Sequence, residues 1–184
     1  LYGATKLASE LFAKEFMKNF GIRVVINRCG VIAGPWQFGK VDQGFVSLWL
    51  SRHLWNGKLS YIGFEGNGKQ VRDILHVDDL VDAIILQLQD IDVCSGETYV
   101  LGGGIKNSVS LLEMTQKCQK VSGNSISIDS VPQNRPGDIA WYVSDHSKFS
   151  DHYNWAPARN VETIVQDTAR WMQEYRNKLE SIFS

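Results

Sequence analysis

Residues 22–28 carry three consecutive β-branched or branched apolar residues, Val24, Val25 and Ile26, and run straight into a glycine-rich loop stopped by Pro35. A short apolar run without alternation reads as a strand buried on both faces, the pattern of a parallel sheet covered by helices. Residues 1–20 precede it. There Ala8, Leu11, Phe12, Phe16 and Phe20 fall on one helical stripe, and Gly21 supplies the stop. Helix, buried strand and glycine loop in that order predict an α/β protein. The loop after such a strand is where open α/β sheets place ligands.

The remaining segments keep the alternation. Residues 44–55 read as a helix, and 59–62 and 71–75 as short extended pieces around a glycine turn. Asp78 and Asp79 are expected to cap a helix with Leu80, Val81, Ile84, Ile85 and Leu88 on one side. Residues 97–101 form a strand closed by Gly102, Gly103 and Gly104. Ser110 and Glu113 make a capping box, 126–128 a strand, 134–138 a loop, and Asn160 caps a last helix. In that helix Val161, Ile164, Val165, Thr168, Met172 and Tyr175 face inward.

Composition excludes several classes. The hydrophobic share is 43% and the charged share 21%, enough for a core and against disorder. A formal net charge of -1 gives no global field for nucleic acid or an anionic membrane. Any anionic ligand must be held by local arginines and backbone amides. No signal-peptide pattern or membrane-length apolar run is present. Cys29, Cys94 and Cys118 are scattered without metal spacing and read as reduced thiols in a cytoplasmic protein.

Four constellations carry chemistry. In Tyr2-Gly3-Ala4-Thr5-Lys6 the tyrosine and lysine stand four apart, on one helix face. A free phenol titrates near 10; making it a base at neutral pH requires roughly 4 kcal/mol of preferential stabilisation of the phenolate, which a nearby ammonium supplies in part. Such a group removes a hydroxyl proton while hydride leaves the same carbon. The second is the loop Asn27–Pro35, whose glycines allow close approach of a flat ring. The third is Gly66-Asn67-Gly68-Lys69-Gln70-Val71-Arg72-Asp73: an arginine beside a glycine turn suits a diphosphate. The fourth is Arg135-Pro136-Gly137-Asp138, with a second arginine on a stiff turn and a carboxylate able to accept from a ribose hydroxyl.

Some features mislead. Gly63–Lys69 spells most of a phosphate-binding P-loop, but Gln70 replaces the hydroxyl residue and an extended segment follows instead of a helix. His76, Asp78 and Asp79 invite a metal assignment; helix capping and a packed histidine explain them, and no metal is expected. Trp36, Trp49, Trp55, Trp141, Trp155 and Trp171 read as packing residues, not a stacking platform.

Tyr2-x-x-x-Lys6, the 28–35 loop, Gln70-Val71-Arg72-Asp73, Asp78-Asp79, Gly102-Gly103 and Arg135-Pro136-Gly137-Asp138 together resemble the extended short-chain dehydrogenase/reductases, the NAD-dependent epimerase/dehydratase family, in that family's motif order. A narrower set resembles the CDP-paratose 2-epimerases, also called CDP-tyvelose epimerases: Trp36-Gln37-Phe38, Asp42-Gln43-Gly44, Gly66–Gln70 and Asn107–Glu113. That subgroup inverts C2 of a CDP-linked 3,6-dideoxyhexose, using bound NAD to oxidise a carbon and return the hydride to the other face. The resemblance implies the C-terminal part of a Rossmann-type NAD(P)-binding fold plus a small mixed α/β substrate-binding domain. Residues 1–34 would end the Rossmann-type domain. Residues 35–184 would be mainly substrate-binding, interleaved with Rossmann segments near 71–104.

The resemblance also implies roles. Tyr2 would be the base, with Lys6 assisting it and holding the nicotinamide ribose. Cys29, Gly30 and Val31 would lie along the nicotinamide. Gln37 would meet the sugar, Arg72 and Arg135 the diphosphate, and Asp138 the nucleotide ribose. Ile74 departs from the aromatic residue common there, and Val31 from an asparagine found in some relatives. Other sugar-nucleotide 4-epimerases, 4,6-dehydratases or reductases remain alternatives, as does a non-catalytic nucleotide-sensing module. The family's glycine fingerprint is absent. The chain starts at Leu1 and reads as a C-terminal half, expected to be inactive alone; the whole protein would be a cytoplasmic homodimer taking a nucleotide-sugar substrate.

Overall fold

The computed structural model describes residues 1–40 and 43–183. In chain order the elements are α1 (Tyr2–Phe20), β1 (Ile26–Cys29), β2 (Val31–Ala33), α2 (Phe45–Leu54), β3 (Leu59–Ile62), β4 (Val71–His76), α3 (Val77–Gln89), α4 (Ile91–Cys94), β5 (Thr98–Leu101), β6 (Ser108–Ser110), α5 (Leu111–Ser122), β7 (Ile128–Val131), β8 (Trp141–Tyr142), α6 (Ser147–Tyr153), α7 (Val161–Glu174) and α8 (Arg176–Phe183).

The strand pairs are mostly parallel, as the unalternating apolar runs predict. β1 pairs with β5, β2 with β4, and β3 with β7, all parallel. β4 sits at a seam. Its residues 74–76 pair with β2, while 71–73 pair with β6 (antiparallel) and 71–72 with β8 (parallel). The chain crosses from the β1–β5 sheet to the β4 sheet twice, at Gly30 and over Gly102–Gly104.

The larger core gathers Val46, Leu50, Ile74, Met114, Ile164 and Met172, joining α2, β4, α5 and α7. Burial at this scale contributes about 1.5–3 kcal/mol per large side chain. Capping follows the sequence. Ser110 Oγ accepts from the Glu113 amide, and the Glu113 carboxylate accepts back from Ser110 N. Asn160 Oδ1 accepts from Thr163 N. Of the expected inward set, Val161, Ile164, Val165, Thr168 and Met172 are buried, while Tyr175, the C-cap residue, is half-buried.

Several expectations shift. The second element begins at Ile26, not residue 22, and β1 is half-buried to exposed where a strand buried on both faces is expected. β7 lies at 128–131, later than expected. His76, not either aspartate, caps α3: its Nδ1 accepts from Asp78 N at 3.0 Å. The apolar side of α3 faces out, with Val81, Ile84, Ile85 and Leu88 exposed. The helix buries Asp79, Ala83 and Gln87 instead. Polar partners make this possible. Arg159 Nη1 donates to Asp79 Oδ1 at 2.6 Å, and Gln87 and Asn27 exchange two amide hydrogen bonds of 2.7 and 2.8 Å. No residue of α1 is buried. Among the tryptophans, Trp49, Trp155 and Trp171 are buried; Trp36 is exposed on one side yet packs its ring against Trp171 and Tyr175, and Trp141 is exposed, against the expectation of packing.

Candidate active site

A cavity of about 260 Å³ opens between α2, β3, β4 and the 135–138 turn. Its lining combines apolar residues, among them Phe45, Leu48, Trp49, Leu59, Val109 and Leu111, with the cations Arg52, Lys58, Arg72 and Arg135, and Asp138 is the one carboxylate among the described lining residues. A flat ring with an attached polyanion suits such a mixed lining. Trp49 is held in place: its Nε1 donates to Thr115 Oγ1 at 3.0 Å, and Tyr61 Oη lies 2.7 Å from the same oxygen.

β4 aims alternate side chains at opposite sides. Arg72 reaches the cavity, its Nη1 donating to Val71 O and its Nη2 to both Asp138 Oδ1 and Ile139 O, each at 2.7 Å. The Arg72–Asp138 ion pair is partly buried, with side chains 21% and 29% exposed. Asp138 is presented by a turn in which its amide donates to Arg135 O and Gly137 takes φ 76°, the geometry that favours glycine at the third position of a type II turn. Thus Arg72, Arg135 and Asp138, three of the expected substrate residues, share one site.

The next residue, Asp73, points the other way and is fully buried. Its Oδ2 accepts from Ser144 Oγ at 2.6 Å and from Gly104 N at 3.0 Å. This staple explains the glycines at both crossings. A Cβ on Gly30 would come 2.7 Å from Ser144 Oγ, and one on Gly102 would come 2.0 Å from it. Internal packing, rather than ligand approach, demands glycine there.

Tyr2 and Lys6 lie on one exposed face of α1, with Lys6 Nζ 5.6 Å from the Tyr2 ring centroid. Neither lines the cavity. α1 is fastened to β1 by Arg28, whose guanidinium forks onto Glu10 at 2.9 and 2.7 Å and holds that carboxyl below its usual range. Cys29 is exposed at the end of β1, and Val31 pairs with Ile74. Gln37 stands apart from the cavity lining. Its amide donates to Ile32 O and accepts from Ser47 Oγ. Asp42 lies outside the described residues. The glycine turn before β4 is no P-loop: Gly66 N and Lys69 N are spent on Gly63 O and Asn67 Oδ1, and a strand follows. Among the described residues no cluster of three His, Cys, Asp or Glu side chains could hold a metal ion, and no helix is long and apolar enough to cross a membrane.

Sequence reasoning missed Lys58, Arg52 and the α2 wall, which carry no motif. The one signal was an apolar helix ending in Arg52. It missed Ser144 entirely, since a lone serine before a short helix has no signature.

The fold has close counterparts. The UDP-glucuronic acid 4-epimerase from Bacillus cereus, solved in complex with UDP-glucuronic acid and NAD, superposes with a TM-score of 0.79 at 26% identity, over 94% of this chain and 52% of that one. Architecture and motif order together define a Rossmann-type α/β protein of the extended short-chain dehydrogenase/reductase class. The model of the GDP-mannose 4,6 dehydratase family matches residues 1–168, and the chain belongs to that family. It is 29% identical to CDP-paratose 2-epimerase of Salmonella typhi, over 92% of this chain and 51% of that protein. It is 30% identical to UDP-glucose 4-epimerase of Erwinia amylovora, over 94% and 54%. The chain spans about half the length of the curated relatives it matches.

Proposed function

We propose that this chain is the substrate-recognising part of an NAD-dependent sugar-nucleotide epimerase, acting on C2 of a CDP-linked 3,6-dideoxyhexose. The observation that carries the reading is the cavity itself, whose lining brings Arg72, Arg135 and Asp138 together with the apolar residues a base would pack against. Arg72 and Arg135 hold the diphosphate through paired hydrogen bonds. Asp138 accepts from the nucleotide ribose. Residues 1–34, with segments near 71–104, belong to the cofactor side, and most of 35–184 to the substrate side.

The residues present fit one end of the cofactor. Tyr2 and Lys6 share an exposed face, as a base and a ribose-binding ammonium require. Cys29 ends the strand fastened to that helix by Arg28, and Gly30 and Val31 lead on from it into β2. The pyrophosphate end has no counterpart among the described residues. Gly102–Gly104 lead into a 3-10 turn and β6, not a helix N-terminus. When bound, NAD supplies a hydride acceptor that can return the hydride. Tyr2 takes the proton from the sugar hydroxyl, and Lys6 stabilises the phenolate. The working protein is a cytoplasmic homodimer in which a dinucleotide-binding segment completes the site, and Gln37 reaches the sugar after giving up its bonds to Ile32 and Ser47.

A second reading keeps the chemistry and changes the sugar nucleotide. Identities of 29% to a dTDP-glucose 4,6-dehydratase and 30% to a UDP-glucose 4-epimerase match or slightly exceed the 29% to the CDP-paratose enzyme. Calorimetry with CDP, UDP and dTDP on the 184-residue chain separates these readings; binding of none of them refutes both. NAD is expected not to bind this chain alone, and micromolar binding would overturn that. In the whole enzyme, Tyr2→Phe should abolish turnover and keep cofactor binding. Unchanged cellular function of that variant would favour a sensing module.

A further inference from the structure

Arg72 is committed before any ligand arrives. A guanidinium has five N–H donors, and it grips phosphate with a two-nitrogen edge. Both such edges use Nη2, and here Nη2 already serves two acceptors, Asp138 Oδ1 and Ile139 O, each at 2.7 Å. A paired grip therefore requires one acceptor to let go. Ile139 O is fixed in the backbone leading into β8, which is laddered to β4. Asp138 is a side chain on a turn whose glycine has open space around it, so Asp138 is the acceptor that can move.

We propose that Asp138 is a specificity-determining residue: it occupies Arg72 as a counter-ion and yields it only to a diphosphate whose ribose offers the carboxylate new hydrogen bonds. The proposal rests on the nucleotide reading of the cavity. Free pyrophosphate must break the Arg72–Asp138 pair and leaves the carboxylate beside its own charge. A nucleoside diphosphate gives Asp138 hydroxyl donors in exchange. Arg72 itself stays aimed, because Val71 O and Ile139 O continue to hold it. Discrimination then comes from a repulsive element built into the site as much as from attraction.

The test is calorimetry on the 184-residue chain with two probes, CDP and inorganic pyrophosphate, for the native sequence and Asp138→Asn. Asparagine keeps an acceptor for Ile139 N and loses the charge. Pyrophosphate should bind Asp138→Asn about fivefold tighter, the scale of one partly screened ion pair, while CDP gains nothing. Asp138→Ser, checked by circular dichroism, serves if the first variant is poorly folded, with the same expectation. Unchanged or weaker pyrophosphate binding in a folded variant overturns the proposal, and so does an equal gain for CDP. Failure of the native chain to bind CDP, UDP or dTDP would instead refute the nucleotide reading; the pyrophosphate comparison would still decide whether Asp138 guards Arg72.

Discussion

Asp73 accepts a 2.6 Å hydrogen bond from Ser144 at the seam where the chain passes between its two main sheets. The carboxylate is fully buried, and its Oδ1 has no hydrogen-bond partner among the described residues. Such a group is stabilising only while its remaining donors stay in place. Ser144→Ala should cost about 1–3 kcal/mol, the scale of a hydrogen bond lost from a buried carboxylate that keeps only the Gly104 amide. Asp73→Asn should cost a similar amount, and the double variant less than the sum, because both act through one bond. Urea titration of the four proteins checks this; additive costs would show that Ser144 does not act through Asp73.

Arg159 holds Asp79, whose side chain is 2% exposed, at 2.6 Å. Arg159→Met removes the charge partner and leaves the carboxylate buried. A loss of about 3 kcal/mol is expected, visible as a lower thermal midpoint. Asp82→Asn, on an exposed partner 3.4 Å from the same guanidinium, should change stability by less than about 1 kcal/mol.

Glu113 has its carboxyl held below the ordinary range, first by the hydrogen bond from Ser110 N and then by the Ser110 hydroxyl. A depressed acid stabilises the fold fully above its unfolded value of about 4.3. That contribution fades as pH falls through the lower, folded value. Denaturation between pH 6 and pH 3 should therefore show part of the acid sensitivity disappear in Glu113→Gln, which is weaker at pH 6 and less pH-dependent below it. Parallel curves would contradict the capping-box assignment.

The three thiols should differ in reactivity. Cys29 is exposed; Cys94 and Cys118 are buried. Desolvation raises the Cys29 thiol above its usual value and pushes Cys118 far higher. Alkylation of the native protein near pH 9 should label Cys29 alone, and all three in denaturant, read by mass spectrometry. Labelling of Cys118 without unfolding would show that α5 opens locally.

Much of the architecture is legible in the residues. Gly21, Ser110 with Glu113, and Asn160 announce helix ends through chemistry confined to a few neighbouring residues, and each does its expected work. The inward stripe of α7 is legible for the same reason: its period belongs to the helix alone. Arg72, Arg135 and Asp138 are also readable one by one, as polar groups on glycine-rich turns.

What the sequence by itself determined, then, was the α/β class, the helix ends at Gly21, Ser110 and Asn160 and the identity of the polar groups, all fixed by local backbone and side-chain chemistry, whereas the cap of α3 fell to His76 and not to the aspartates. Tertiary structure alone decided which side of α3 is buried, because Asp79 and Gln87 find their partners at Arg159 and Asn27, 80 and 60 residues away. It alone placed Ser144 against Asp73 and made glycine obligatory at positions 30 and 102. It also gave Arg72 a counter-ion 66 residues distant. Pairings across such separations depend on how the sheets meet, and no short window of residues encodes that.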